Sequence, residues 1–230
     1  MLDLHGFGPA LLQGTWVTVR LSLASLALGL VLGLLGASAK ISSRWYLRAV
    51  GGFYTSVVRG VPETLWVLVA YFGTVSTLNW IGSHFGHPQL SFSPFVAGTL
   101  ALGLCFGAYA TEVFRGALLS IPQGQKEAGQ ALGLSPLRIF WRITLPQLWR
   151  VALPGLGNLY LILLKDTALV SLITLNELMR QARIAGQATR EPFTFLFAAA
   201  LIYLALTVVI MAALHWFEKR ANRGCTRTEL

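Results

Sequence analysis

From Leu21 to Ala39 the chain carries no charged residue, and four further stretches come close to the same uninterrupted apolar length. A helix pairs its own backbone polar groups, so about 20 such residues cross the roughly 30 Å of bilayer hydrocarbon, where no water can satisfy an open strand edge. The qualifying windows are about 13–39, 56–78, 94–114, 151–175 and 193–217. They predict an all-α integral membrane protein of five transmembrane helices, a single transmembrane domain over 1–230. A composition 55% hydrophobic and 12% charged, with a mean hydropathy of +0.63, excludes an ordinary soluble domain of this length.

The net charge of +9 does not point to nucleic acid, because the cations lie in clusters between apolar windows rather than along one solvated face. Such clusters set topology. Thirteen of them fall on one side: Lys40, Arg44, Arg48, Arg59, Arg115, Lys126, Arg138, Arg142, Arg150, Lys219, Arg220, Arg223 and Arg227. The other side holds Arg180, Arg183 and Arg190, and its 79–93 loop has none. The expected orientation is therefore N-terminus outside and C-terminus in the cytoplasm, with 218–230 a basic cytoplasmic tail. No Lys or Arg precedes Arg20, so the first apolar window reads as a retained span rather than a cleavable signal. Cys105 lies inside a window and Cys225 in the tail, too far apart in depth for a disulfide or a metal cluster.

One polar stretch sits on the basic side, between the third and fourth windows. Lys126 to Leu132 has helix formers with Glu127 expected in the first turn, where a carboxylate favours the positive helix end. Gly133 permits a left-handed stop, and Ser135-Pro136 reads as an N-cap with proline at the first helical position. Pro146 should then stop or kink the second helix. The small residues Ala128, Gly129 and Ala131 would let another protein approach closely. Over 127–146 the order Glu127, Ala128, Gly129, then Gly133, then Ile143, Leu145 and Pro146 resembles the EAA loop of membrane subunits of ATP-binding-cassette importers, with Gly129 in place of the second alanine.

The likeness continues through GTWVTVRLSLAS, SVVRGVPETL, GAYATEVFRGAL, ALPGLGN, LLKDTALVSLITLNEL and TREPFTF, and nearly the whole chain is covered. These are similar to the ordered landmarks of polar amino-acid permeases, and within them to the smaller subunit of histidine and lysine/arginine/ornithine transporters. The resemblance implies a type I importer permease fold in the bacterial inner membrane, with a periplasmic N-terminus. It implies pairing with itself or a sister permease, two ATPase subunits that bind ATP and Mg, and a periplasmic amino-acid-binding protein. The 121–146 loop would carry the coupling helix, with Glu127, Ala128, Gly129, Ala131, Gly133, Ile143, Leu145 and Pro146 as its contact and framing residues. No cofactor is expected in this chain itself.

Ionisable residues at membrane depth are costly and tend to mark a substrate path or a structural pair. Glu63 follows Arg59-Gly60-Val61-Pro62, where proline frees backbone groups. Glu112 lies three residues before Arg115, a helical neighbour. Lys165 and Asp166 are adjacent and so should face different partners, followed by Thr167 and Ser171 at a four-residue spacing. Glu63, Lys165, Asp166, Thr167, Ser171 and Glu112 are thus the substrate-path candidates. An acid after RGVP suits the cationic side chain of histidine, arginine, lysine or ornithine, by charge and by resemblance; glutamine is the alternative cargo. Arg20 departs from the family pattern and reads as a snorkelling cation or a partner of a neighbouring subunit's acid.

Two other readings compete. An ion-coupled secondary transporter would use the intramembrane acids as proton or sodium sites. There is no G-x-x-x-x-G-K-[ST], so ATP must be bound by a partner. Against an enzyme, His5, His84, His87 and His215 form no H-E-x-x-H and no nucleophile motif sits beside a base. His84 and His87 read as loop or binding-protein contacts. The expected mechanism is alternating access, with the energy entering through 127–145 and the second to fourth spans lining the path.

Overall fold

The computed structural model describes residues 4–84 and 91–222, all helical or connecting, with no strand among them. Five helices are long and apolar enough to cross a membrane: α1 (Gly8–Ile41), α3 (Glu63–His84), α4 (Pro94–Ser120), α6 (Pro136–Ile173) and α8 (Pro192–Ala221). Three shorter ones join them: α2 (Trp45–Gly60), α5 (Gln123–Ala131) and α7 (Leu178–Thr189).

The centre is α4 packed on α1. Hydrocarbon gives helices little reason to associate except close packing, and small residues provide it. Gly29, Gly33 and Gly36 form a stripe on α1; a Cβ at these positions would stand 2.5 Å from Phe106 Cδ1, 2.7 Å from Ala110 Cβ and 2.3 Å from Thr111 Oγ1. Leu21, Leu102, Phe106 and Phe114 join Leu148, Leu156 and Leu163 of α6 in the main core. A second cluster of Leu11, Leu178, Ala182 and Phe195 ties α7 to α1 and α8. In the most apolar window of α4, 61% is buried within the chain, against 11% for α3 and 17% for α8. The last two helices therefore present most of their surface outward.

Several boundaries differ from the sequence windows for physical reasons. The stretch 56–78 is not one helix. Pro62 disfavours helical geometry in the residue before it; Val61 is extended at φ −110°, ψ 136°, so α2 ends at Gly60 and α3 begins at Glu63. Trp66 of α3 bridges the break by donating its indole N–H to the Val58 carbonyl at 3.1 Å. The third helix continues past 114 to Ser120, and the last runs from Pro192 to Ala221.

The helix expected over 151–175 already begins at Pro136. Pro146 does not stop it: the turn Phe140–Thr144 widens to π winding, and α-helical geometry resumes at Leu145. A wider turn absorbs the donor that proline withholds, while the Gln147 side chain donates to the Ile143 carbonyl at 3.0 Å. The last turns, Thr167–Ile173, tighten to a 3-10 helix.

The stretch 176–192, expected to be a loop, contains the amphipathic α7. Likewise 79–93 is helical as far as His84, whose ring Nδ1 lies 2.8 Å from the Trp80 carbonyl. His87, Cys225, Arg223 and Arg227 lie outside the described residues.

Candidate functional site

Two regions bring the candidate residues together. The first is the polar segment between α4 and α6. Ile121 caps α4, and Pro122 is already the N-cap of α5, so Gln123 and Gly124 open this helix rather than extending the span before it. Glu127 consequently sits in the second turn, not the first. The stop is as the sequence predicts. Gly133 is left-handed at φ +70°, the Gly133 N–H donates to the Gln130 carbonyl at 2.9 Å, and Leu134 N–H donates to Gly129 at 3.0 Å. That pair of bonds is the Schellman closure of a helix end. Ser135 is the N-cap of α6 through its backbone, its carbonyl accepting from Ile139 N–H at 3.0 Å, with Pro136 at the first helical position.

Gly129 faces inward, which corrects the idea that its smallness serves an incoming protein. It is buried, and a Cβ there would lie 3.0 Å from both Ile139 Cγ1 and Ile143 Cδ1. Gly129 lets α5 lie against the first turns of α6. Glu127, Ala128 and Ala131 stay exposed, Leu145 is half-buried and Pro146 exposed. Beside them in sequence the apolar Leu132 (79% exposed), Leu137 (68%) and Trp141 (60%) are also exposed. These three large side chains were not singled out from the sequence, although an apolar residue in a polar loop is a readable signal.

The second region is a cavity of about 170 Å³ at the α2–α3 break, lined by Glu63 of α3, Leu102, Cys105, Phe106 and Tyr109 of α4, and Leu159, Ile162, Leu163 and Asp166 of α6. Glu63 and Asp166, distant in sequence, share it. The break at Pro62 places Glu63 at the start of α3, and the helical period of α6 puts Asp166 on the same stripe as Leu159, Ile162 and Leu163. The Arg59 guanidinium stands 5.2 Å from the centroid of the Tyr109 ring. Lys165 is exposed and does not line the cavity. The pairing of Tyr109 and Cys105 with the acids was not anticipated. Among the described residues no three His, Cys, Asp or Glu side chains are placed to hold a metal ion.

The other candidates lie elsewhere. Thr167 and Ser171 are buried but do not line the cavity; 3-10 winding replaces the α-helical spacing assumed for them, and Thr167 Oγ1 donates to its own Leu164 carbonyl at 2.6 Å. Glu112 is held by two cations. Arg115 Nε donates to Oε2 at 2.9 Å, and Lys40 of α1 donates to Oε1 while also reaching Thr55 Oγ1 of α2 at 3.0 Å. This network joins three helices, and its Lys40 arm is 72 residues away in sequence. Arg20 places its guanidinium 5.8 Å from the Phe95 ring centroid.

A further acid was missed by sequence reasoning. Glu177 is fully buried and caps α7, accepting from Met179 N–H at 2.8 Å and Arg180 N–H at 2.7 Å, with the Tyr203 hydroxyl donating at 3.3 Å. Burial outweighs these bonds and pushes its carboxyl up to about 7. Its position before an apolar i, i+4 pattern was the available sign.

Comparison with known proteins covers nearly the whole chain. The profile of a binding-protein-dependent transport system inner membrane component matches residues 29–223. The chain is 42% identical to the octopine transport system permease protein OccQ of Rhizobium meliloti, over 98% of each chain. It is 39% identical to the histidine/lysine/arginine/ornithine transport system permease protein HisQ of Escherichia coli (strain K12), over 99% of this chain and 100% of that one. Identity to the arginine ABC transporter permease protein ArtQ of the same organism is 43%, over 90% and 92%. Among solved structures, an amino acid ABC transporter with histidines superposes with a TM-score of 0.76 at 31% identity, covering 92% of this chain and 94% of that one. The inward-facing MetNI methionine ABC transporter matches in fold, with a TM-score of 0.70 at 18% identity, over 93% and 96%.

Proposed function

Because the chain belongs to the family of binding-protein-dependent transport system inner membrane components, and is the permease of an amino-acid ATP-binding-cassette importer, we propose that its cargo is a basic amino acid. The observation that carries this reading is the meeting of Glu63 and Asp166 in one cavity. Two carboxylates in an apolar surround are expensive unless a cation shares the space. A lysine, arginine, ornithine or protonated histidine side chain supplies that cation, and its aliphatic stem or ring suits Leu102, Phe106 and Leu163. The names of the relatives above agree in part: histidine, lysine, arginine and ornithine appear among them. At about 170 Å³ the cavity holds a side chain rather than a whole amino acid, since complete ligand pockets run about 300–1,000 Å³. A second permease, identical or a sister, would close over the rest.

Energy would enter at α5. In this reading exposed Leu132, Leu137 and Trp141, together with Glu127 and Ala128, seat in one of two ATPase subunits that bind ATP and Mg. The packing of Gly129 on Ile139 and Ile143 makes α5 move with α6, and α6 carries Asp166. Closure of the ATPases would thereby rock the helix that bears one wall of the cavity. A periplasmic binding protein delivers the cargo on the opposite face, and the cavity opens to each side in turn.

The test is uptake by the assembled importer carrying Glu63→Gln or Asp166→Asn. Each removes a charge without changing shape, and loss of a charge-assisted bond of about 1.5–3 kcal/mol lowers apparent affinity for a basic amino acid about 10–100-fold. Unchanged uptake of arginine, lysine, ornithine and histidine in both variants would remove the cavity from the transport path.

A further inference from the structure

A second concavity lies on the outside of the helix bundle, where α1 and α8 diverge over α6. Its volume is about 450 Å³, and its walls are apolar: Leu26 of α1, Trp149 and Leu156 of α6, and Leu206, Ala213 and Phe217 of α8. Polar contacts at its wall are internal: Ser22 Oγ donates to the Val19 carbonyl at 2.9 Å and lies 3.2 Å from Tyr160 Oη. All three helices are apolar enough to span, so the groove lies at membrane depth.

The shape restricts the occupant. From Leu206 to Phe217 the groove follows about 16 Å of helix, and from Trp149 to Leu164 about 22 Å. An apolar groove of this length suits a hydrocarbon chain lying along α6. At the end of the groove marked by Trp149 and Phe217, aromatic residues of the kind that sit at headgroup level, the next position on the α8 stripe is a cation. Leu206, Ala213 and Arg220 are spaced by seven and share a face, and exposed Arg220 is held 5.6 Å over the Trp216 ring. The neighbouring acid, Glu218, turns to a separate cleft with His215 and Asn158.

We propose that this groove is a phospholipid site, with one acyl chain lying against α6 and an anionic headgroup at Arg220. The site is separate from the cavity of Glu63 and Asp166, and its occupation would fix the angle between α1 and α8 around the moving α6.

The experiment is native mass spectrometry of the purified importer complex titrated with phosphatidylglycerol or phosphatidylcholine. The unaltered complex should retain phosphatidylglycerol in preference, and Arg220→Gln should reduce that preference about fivefold, the worth of one cation beside an anionic lipid. Ala213→Trp fills the groove from an exposed position and should release the retained lipid while the ATPase subunits still copurify. If that variant fails to assemble, Leu23→Phe fills the groove from α1 and is read the same way. Equal retention of the two lipids by the unaltered complex overturns the proposal. So does undiminished retention in an assembled groove-filled variant. A disulfide from a cysteine at Val209 to the other permease subunit in native membranes would show that protein covers the groove, and would overturn it too.

Discussion

Glu177 shows how burial alone can make one residue matter outside any transport path. Its carboxyl is enclosed by α1, α7 and α8, with Thr18 Oγ1 accepting from Leu178 N–H at 3.2 Å next to it. Folding raises its pKa from 4.5 to about 7, chiefly by desolvation. Between those two values the folded protein holds more of this proton than the unfolded chain does, so the slope of unfolding free energy against pH is negative. Its contribution is full below about 4.5, is lost as pH rises through the folded value, and is flat above it. The loss is on the order of 3 kcal/mol. Thermal unfolding in detergent at several pH values should show the unaltered protein losing more stability toward pH 8 than Glu177→Gln does. Parallel profiles would mean that the carboxylate is solvated in the folded state. The local sequence signals a cap but not its burial. An acid before a short helix reads as an exposed cap, and only the packing of α8 over it, through Tyr203, makes it buried. Glu63 was legible because the charge lies inside an apolar window, whereas Lys40 could not be matched to Glu112 without knowing that α1 packs on α4.

At the scale of elements, the apolar windows were readable because hydrocarbon demands length and composition together. The breaks were not equally readable. Pro62 and Pro146 carry the same local signal, yet one separates α2 from α3 while the other sits in a helix that widens and continues. The difference lies in the neighbours. Gly60-Val61 precedes Pro62, a weak helix former and a β-branched residue, whereas Pro146 follows a segment in which Ile139 and Ile143 pack α6 against Gly129 of α5. Helix α7 was passed over because its window is polar on average, although Leu178, Ala182, Ala185 and Gly186 recur at helical spacing. The joint between α5 and α6 has a direct test. Gly129→Ala should be tolerated, since the Cβ meets the flexible ends of Ile139 and Ile143 at 3.0 Å and the helix gains up to about 1 kcal/mol in propensity. Gly129→Leu should force α5 away from α6, and Gly133→Val should strain the left-handed stop by about 1–2 kcal/mol. Both should reduce copurification of the ATPase subunit or binding-protein-stimulated ATP hydrolysis. Retention of both properties at wild-type levels would detach α5 from the coupling role.

For the whole molecule, the two proposed sites make sense only if the segment around α5 and the segment around α7 lie on opposite faces of the membrane. The argument for this is electrostatic and independent of family. Lys126, Arg138, Arg142 and Arg150 flank α5 and the start of α6, continuing the excess of cations at Lys40, Arg44 and Arg48 and at Lys219 and Arg220; such an excess is retained in the cytoplasm. The connectivity agrees: α4 leads into α5 at Ser120 and α6 leads out toward α7 at Ile173, so one crossing separates α5 from α7. Arg180, Arg183 and Arg190 weaken the asymmetry without reversing it. Single cysteines at Ala128 and Gln187, both exposed, in a background with Cys105 and Cys225 replaced by serine, give the test. In intact cells a membrane-impermeant maleimide should label the cysteine at 187 and spare the one at 128, and disrupting the membrane should make both reactive. Labelling of position 128 in intact cells would place α5 outside, where no ATP-hydrolysing subunit could use it, and would sink the coupling scheme even if Glu63 and Asp166 still proved to hold the cargo.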